Sequence, residues 1–367
     1  MNPPTNSLSN PASNNPANEK SAPVAKSAAA NRAVSASDLQ AAKQVVWSAI
    51  QQMPGPNASQ AADTWLSPDC QWHVAHPFNL LSGIAAVVDG FYKPLLGAFP
   101  DVERRTDIFM AGHWDGHLDG GDGVWISCTG NYLGTFKGDF LGIPATHEAA
   151  YLRFGEFYRV VAGKIVEARI LLDIIDLARQ AGRPLLPPGT GLNLLVPGPR
   201  QHNGLQMHAA PPEQTAESFA LVMAMIGGLM TFKGDGDLKH MGMTRYWKPN
   251  MMWYGPCGIG SSRGIDGFER HHQAPFLHAF PDRKGGNHRA RFAEGPFIST
   301  TGWPSVRATH EGDYLGVPAS NVPIQMRVMD WWSCEDGLLA ENWVFIDLPH
   351  LMLQMGVDLL GRLKTNP

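Results

Sequence analysis

The sequence predicts an α+β protein made of two tandem domains, each a curved antiparallel sheet wrapped around helices. Three observations predict it. The chain repeats itself: Trp65 to Asp101 aligns without a gap onto Tyr246 to Asp282, and Thr135 to Gly182 onto Thr309 to Gly356. Ala98 to Asp101 (AFPD) falls on Ala279 to Asp282, and Gly138 to Ala145 (GDFLGIPA) on Gly312 to Ala319 (GDYLGVPA). Two long blocks in the same order mark the duplication of one domain of ordinary size. Within each copy, helical periodicity gives way to strand-length segments broken by turns such as Asp119 to Gly123, the pattern of an α+β domain. Between the copies, Arg183 to Pro212 is crowded with proline and glycine, which break both periods. It also carries Leu192, Leu194, Leu195 and Val196, so an ordered strap is expected. The domain boundaries that follow are a tail over 1–34, a first domain over 35–182, the strap over 183–212 and a second domain over 213–363.

In chain order, the tail is mostly Asn, Pro, Ser and Ala, too poor in apolar surface to offset its ordering entropy, and is expected to be disordered. Ser37 or Asp38 is positioned to cap a helix through Gln52, whose counterpart runs from about Glu213 to Phe232. A short strand follows around Trp72 or Trp253, then a helix ending before each AFPD, then three or four strands. The last strand is Lys164 to Asp173, matched by Leu338 to Asp347. A closing helix comes next, with Pro349 suited to its first turn.

Composition narrows the function. The chain has 367 residues, 44% hydrophobic and 17% charged, long enough for a core without disulfide staples. A formal charge of -4 gives no basic footprint for nucleic acid. No apolar run approaches the ~18 residues of a membrane span, and the N-terminus lacks a signal-peptide apolar core. Cys70, Cys128, Cys257 and Cys334 are far apart, which favours free thiols in a reducing, cytoplasmic compartment. His113, Asp115, His117, Asp119 and Asp122 cluster, but turn chemistry explains the Asp-Gly pairs and the spacing fits no metal loop, so no metal is expected.

The AFPD segment, the Gly-x-Phe/Tyr-Leu-Gly-Ile/Val-Pro-Ala loop and the final strand with its acid resemble the SnoaL-like polyketide cyclase family, within the nuclear transport factor 2-like superfamily. The resemblance covers about Ser35 to Gly182 and Glu213 to Gly361. It implies a cystatin-like cone in each copy, with a mostly apolar pocket between sheet and helices. It further implies an acid on the last strand acting as general acid/base without metal or organic cofactor. That acid matches Asp173 and Asp347. The loop histidine of the family matches His310, where the first copy has Phe136, and its early-strand histidine matches His73, where the second has Tyr254. The tryptophan four residues before the acid matches Trp343, where the first copy has Arg169.

The residues themselves leave alternatives open. Alternation places Glu341, Trp343, Phe345 and Asp347 on one strand face and Asn342, Val344 and Ile346 on the other. An Asp beside Trp343 and Phe345 is desolvated, which raises its pKa toward the range useful for proton abstraction. The competing reading makes Asp347 the N-cap of the helix at Pro349. His272 replaces Phe91 of the first copy, a polar group where that copy has core. Trp253, Trp331 and Trp343, with Tyr254 and His272, suit a flat hydrophobic ligand, and packing in a core is the alternative. Arg153 and Arg327 precede the strand acids Glu156 and Asp330, which reads as an ion pair within the sheet or, for Arg327, as a substrate contact.

These readings converge on a cofactor-independent enzyme that uses an Asp general acid/base on a small hydrophobic carbonyl or polyketide-like substrate. Cyclisation, isomerisation and elimination (lyase chemistry) are all open to it. The alternatives are hydrolysis of a small ester or epoxide, and a non-catalytic ligand-binding or assembly protein. Expected catalytic residues are Asp347, His310, Asp173 and His73; expected substrate contacts are Tyr254, His272, Trp253, Trp331, Trp343 and Arg327. The two copies are expected to pair through their sheets as an intrachain pseudo-dimer, with a homodimer possible. No membrane or nucleic-acid partner is expected, and the second copy is expected to hold the better-formed site.

Overall fold

The computed structural model describes residues 34–116, 121–232, 237–286 and 288–365. The expected disordered tail falls on residues that lie, but for Val34, outside the described ones, as do His117 and Asp119 of the Asp-rich turn. The first copy runs α1 (Ala36–Gln52), α2 (Ala58–Trp65), β1 (Leu66–Val74), β2 (Asn79–Ser82) and α3 (Ile84–Val87). A π turn, Val88–Tyr92, leads into α4 (Lys93–Ala98), followed by β3 (Glu103–Trp114), β4 (Gly123–Thr135), β5 (Ala149–Val161), β6 (Lys164–Leu172) and α5 (Ile174–Gln180). The second copy repeats this with α6 (Pro212–Leu229), β7 (Trp247–Tyr254), β8 (Ser262–Arg263) and α7 (Gly264–Phe268). A second π turn, Glu269–Gln273, leads into α8 (Ala274–Ala279). Then come β9 (Lys284–Gly285), β10 (His288–Glu294), β11 (Phe297–Thr309), β12 (Pro323–Glu335), β13 (Leu338–Ile346), α9 (Leu348–Gln354) and α10 (Gly361–Thr365).

The sheets have equivalent orders, β2-β1-β6-β5-β4-β3 and β8-β7-β13-β12-β11-β10. They are mostly antiparallel but mixed, because β1 lies parallel to β6 and β7 parallel to β13. The helices and strands between each such pair form the long crossover that parallel neighbours require. The fold is therefore α+β, two copies of one helix-wrapped sheet. Among the described residues, no helix is long and apolar enough to cross a membrane.

Local chemistry adjusts some expected boundaries. Ser35, not Ser37 or Asp38, caps α1: Asp38 N donates to Ser35 Oγ (3.3 Å) and Ser35 N to Asp38 Oδ2 (2.8 Å), a reciprocal capping box. In β11 the pairing with β12 shifts between Gly302 and Val306, a bulge around Pro304, which has no N–H for the ladder.

The sheets of the two copies meet. Phe157 and Trp331, at equivalent positions, touch with ring centroids 5.1 Å apart, and Trp331 Nε1 donates to Ser127 Oγ (3.2 Å). At Gly112 a Cβ would lie 2.5 Å from Phe292, so only glycine allows that approach. Lys43 of α1 is buried against Glu294 of β10 (2.5 Å), whose second oxygen accepts from Ala111 N (2.8 Å). The strap is hydrogen-bonded to both copies, through Gln206 N to Phe109 O (2.8 Å) and Leu192 N to Ser261 O (2.8 Å).

Candidate active site

A strand buried on both faces has two apolar sides, and β12 and β13 use theirs for different purposes. Val328, Asp330 and Trp332 of β12, with Asn342, Val344 and Ile346 of β13, face a cavity of about 230 Å³ under the helices of the second copy. Met225 and Leu229 of α6, Trp247 and Trp253 of β7, and His272 and Phe276 close it. Its lining is overwhelmingly apolar. Met230, Lys284 and Gly285 are its exposed members and mark the mouth, between the end of α6 and β9.

Asp330 is the carboxyl in this cavity. Among the described residues it keeps one hydrogen bond, from Asn342 Nδ2 at 3.4 Å, and burial pushes its pKa up to about 7 against that bond. Asn342 Nδ2 also donates to Trp331 O (3.0 Å), which fixes the amide. His272 stacks on Trp253 with ring centroids 4.2 Å apart, and burial lowers its pKa to about 3, so it is a neutral imidazole. It stands on the π turn Glu269–Gln273, whose counterpart in the first copy is Val88–Tyr92. His288 is likewise held neutral, at about 3, by burial and by Arg291.

The equivalent acid of the first copy, Glu156, is saturated. Arg104 grips it with both terminal guanidinium nitrogens (Nη1 at 3.1 Å, Nη2 at 2.5 Å), and Tyr132 and Tyr158 each donate a hydroxyl at 2.8 Å. Cys128 Sγ lies at 3.4 Å, and the Arg104 guanidinium packs on the Phe154 ring at 3.9 Å. Strand pairing identifies what replaces these partners. Arg104 pairs with Tyr132, as Gly285 pairs with Val306. Cys128 lies opposite Glu156, as Thr300 lies opposite Asp330. Trp332 takes the place of Tyr158, two residues beyond the acid in each copy. The second copy thus keeps the acid, loses its cation and both phenols, and opens space where the first is filled.

Of the residues expected from the sequence, the structure brings His272 and Trp253 to this cavity and leaves the others off its lining. Asp347 caps α9, accepting from His350 N (3.2 Å), pairs with Arg327 (3.0 Å) and accepts from His76 N of the other copy (3.0 Å). Burial raises its pKa, against the pull of Arg327. Asp173 mirrors it: it caps α5 and accepts from Cys257 N of the second copy (2.9 Å), with its pKa raised to about 6 by burial and by Asp176. Both strand-end acids are therefore helix caps that pin one copy to the other. Arg327 spends a second contact on Asn79 Oδ1 (3.1 Å). His310 is buried, with Nδ1 2.9 Å from Ser320 Oγ, beside Phe280. His73 lies 6.3 Å from the Trp303 ring, its pKa lowered to about 4 by burial and by Arg169. Tyr254 donates to Glu341 (3.2 Å), Trp343 Nε1 to Pro197 O of the strap (2.9 Å), and Trp331 sits between the sheets.

Among the described residues, no group of three or more His, Cys, Asp or Glu side chains is placed to hold a metal ion. The sequence shows Asp330 as the acid after Arg327 and suggests an ion pair between them, whereas in the structure Arg327 pairs with Asp347. The signal that separates Asp330 from Glu156 is the loss of Arg104, Tyr132 and Tyr158 from its surroundings, which requires the strand pairing.

Comparison with known proteins places the chain. The crystal structure of AclR from Streptomyces galilaeus, described as a candidate hydroxylase, is 22% identical and aligns over 39% of this chain and 97% of its own (TM-score 0.31). That of IdmH from Streptomyces antibioticus, described as a candidate polyketide cyclase, is 23% identical over 37% and 98% (TM-score 0.30). A nuclear transport factor 2-like protein from Burkholderia thailandensis is 20% identical over 39% and 97% (TM-score 0.29). No curated protein matches the chain. The sequence profile of one family matches twice, over residues 48–181 and 235–355, and the chain belongs to that family, the SnoaL-like polyketide cyclases.

Proposed function

We propose that the second copy is a cofactor-independent active site in which Asp330 exchanges a proton with a small, mostly apolar carbonyl compound, and that the first copy is a catalytically silent support. The observation that carries this reading is the contrast between two equivalent acids. Glu156 is held by a cation and two phenols, whereas Asp330 stands in a cavity with one weak hydrogen bond and a pKa of about 7. A carboxyl titrating near neutrality balances ionised fraction against basicity, which suits general acid/base work at physiological pH.

The chemistry follows from the site's own groups. The Asp330 carboxylate takes a proton from carbon alpha to a carbonyl; the C–H electron pair moves into the carbon framework and the carbonyl oxygen becomes an enolate. Returning the proton at another carbon isomerises the substrate. Attack of the enolate carbon on a second carbonyl of the same molecule cyclises it, and expulsion of a beta substituent eliminates. Asn342 donates to the carboxyl, and the surrounding apolar walls disfavour its charged form.

The test is proton exchange in deuterium oxide with cyclohexanone, indanone and tetralone as probes, followed by proton NMR. The native chain should catalyse deuterium incorporation alpha to a carbonyl, and Asp330→Asn should slow it by about 10²–10⁴-fold. Equal rates in the two proteins would remove Asp330 from the reaction.

A further inference from the structure

The cavity holds more unused hydrogen-bonding capacity than Asp330. Trp247 Nε1, Trp332 Nε1 and His272 Nδ1 are buried and have no hydrogen-bond partner, and all three side chains line this one cavity. The two tryptophans are 3% and 5% exposed, so neither has bulk water to fall back on. Three other buried indoles find acceptors: Trp125 Nε1 donates to Gly121 O (2.7 Å), Trp331 to Ser127 Oγ (3.2 Å) and Trp343 to Pro197 O (2.9 Å). Trp72 is also unpartnered, but it lies in the first cone packed by Phe91, Tyr92 and Tyr158. An indole offers a donor and no acceptor. Buried donors left unmatched are costly in the empty protein, and a ligand oxygen that accepts from them removes that cost.

The acceptor can be narrowed by charge and by size. Asn342 Nδ2 is committed to Trp331 O and Asp330, so it offers a ligand little. Arg283, at the mouth, donates to Leu229 O (2.8 Å) and lies over the Phe232 ring. Lys284 is charged but lies exposed at the mouth; the buried donors are uncharged, and the Asp330 carboxyl becomes neutral once it holds a proton. Such a set fits an oxygen that gains negative charge as a proton moves to Asp330, since the net charge of the cavity is then unchanged. A cavity of about 230 Å³ exceeds the ~150 Å³ that accommodates benzene and falls short of the ~300 Å³ at which drug-sized sites begin. Its flat walls, Trp253 and Phe276, suit a ring.

Resting on the reading of Asp330 as the base, we propose that the indole N–H groups of Trp247 and Trp332, with His272, bind the enolate oxygen of a cyclic ketone of one or two rings. The C–H bond breaks, its proton goes to an Asp330 oxygen, and its electron pair ends as the enolate held by these donors. Atoms and charge balance without an oxidant or a metal.

Para-nitrophenolate is a stable mimic of such an enolate, and its absorbance reports ionisation. Titrated into the full chain, it should bind in the phenolate form. Trp332→Phe and Trp247→Phe keep a ring and remove the N–H, and each should weaken binding about 10–100-fold, as expected for a lost hydrogen bond to a charged acceptor. His272→Phe, which installs the residue of the first copy, should weaken it in the same direction and serves if a tryptophan variant fails to fold. Asp330→Asn removes a competing negative charge and should tighten binding above pH 7. Unchanged affinity in the folded tryptophan and histidine variants, or no phenolate binding by the native chain, would overturn the donor assignment. The two readings fail separately. If ketone exchange depends on Asp330 while phenolate affinity ignores the tryptophans, only the donors are wrong. If phenolate affinity depends on the tryptophans while Asp330→Asn still exchanges ketone protons, the donors stand and only the base is wrong.

Discussion

Asp330 and Glu156 occupy one position of the repeat, and beyond one methylene of side-chain length they differ in what surrounds them. A carboxyl whose pKa is raised in the folded state contributes stability below its unfolded pKa and loses it as pH rises through the folded value. For Asp330, raised from 3.8 to about 7 by burial, the loss runs from about pH 4 to pH 7 and above. Asp330→Asn removes that loss, so the variant should melt at a higher temperature than the native chain at pH 8 and at a similar one near pH 4. Scanning calorimetry at the two pH values checks this. The native exchange rate should rise with pH to a plateau with an apparent pKa near 7, because only the ionised carboxyl accepts a proton. A rate with no titration between pH 5 and pH 9 would contradict that role.

At the scale of elements, β13 shows what the sequence could and could not reveal. The alternation of Glu341, Trp343, Phe345 and Asp347 against Asn342, Val344 and Ile346 was legible, and so were the duplication and the α+β class. Which face lines a cavity was not legible, because both faces are apolar and each carries polar groups. The face with Asp347 packs against the other copy and the strap, and the face with Asn342 turns to the cavity. The cap reading of Asp347, open on sequence grounds, describes its place in the structure; the cross-copy bond to His76 N was invisible because it joins residues far apart in the chain. Asp347→Ala removes a helix cap, that bond and the partner of Arg327. It should cost roughly 3 kcal/mol or more in urea unfolding, and Asp347→Asn, which still caps, should cost less. Both variants should retain ketone exchange while folded; its loss in folded Asp347→Asn would return that residue to the chemistry.

At the scale of the whole molecule, a cone that is filled supports a cone that is open. Glu156 with Arg104, Tyr132 and Tyr158 forms a satisfied polar network inside the first copy, whose sheet packs against the second copy. Contacts across the copies, at Phe157 and Trp331, at Lys43 and Glu294, and at the two strand-end acids, tie the halves together. Gly112→Val would force a side chain into Phe292 and should lower the melting temperature of both copies in a single transition. Two separate transitions in the native chain would show that the halves fold independently.

The central claim, one working cone and one silent one, is tested most directly by measuring deuterium incorporation into a small cyclic ketone with Asp330→Asn and Glu156→Gln side by side, each confirmed as folded. The account predicts a loss of about 10²–10⁴-fold for Asp330→Asn and a rate within a few-fold of native for Glu156→Gln. Exchange that survives Asp330→Asn and disappears with Glu156→Gln would place the chemistry in the first copy and contradict the account.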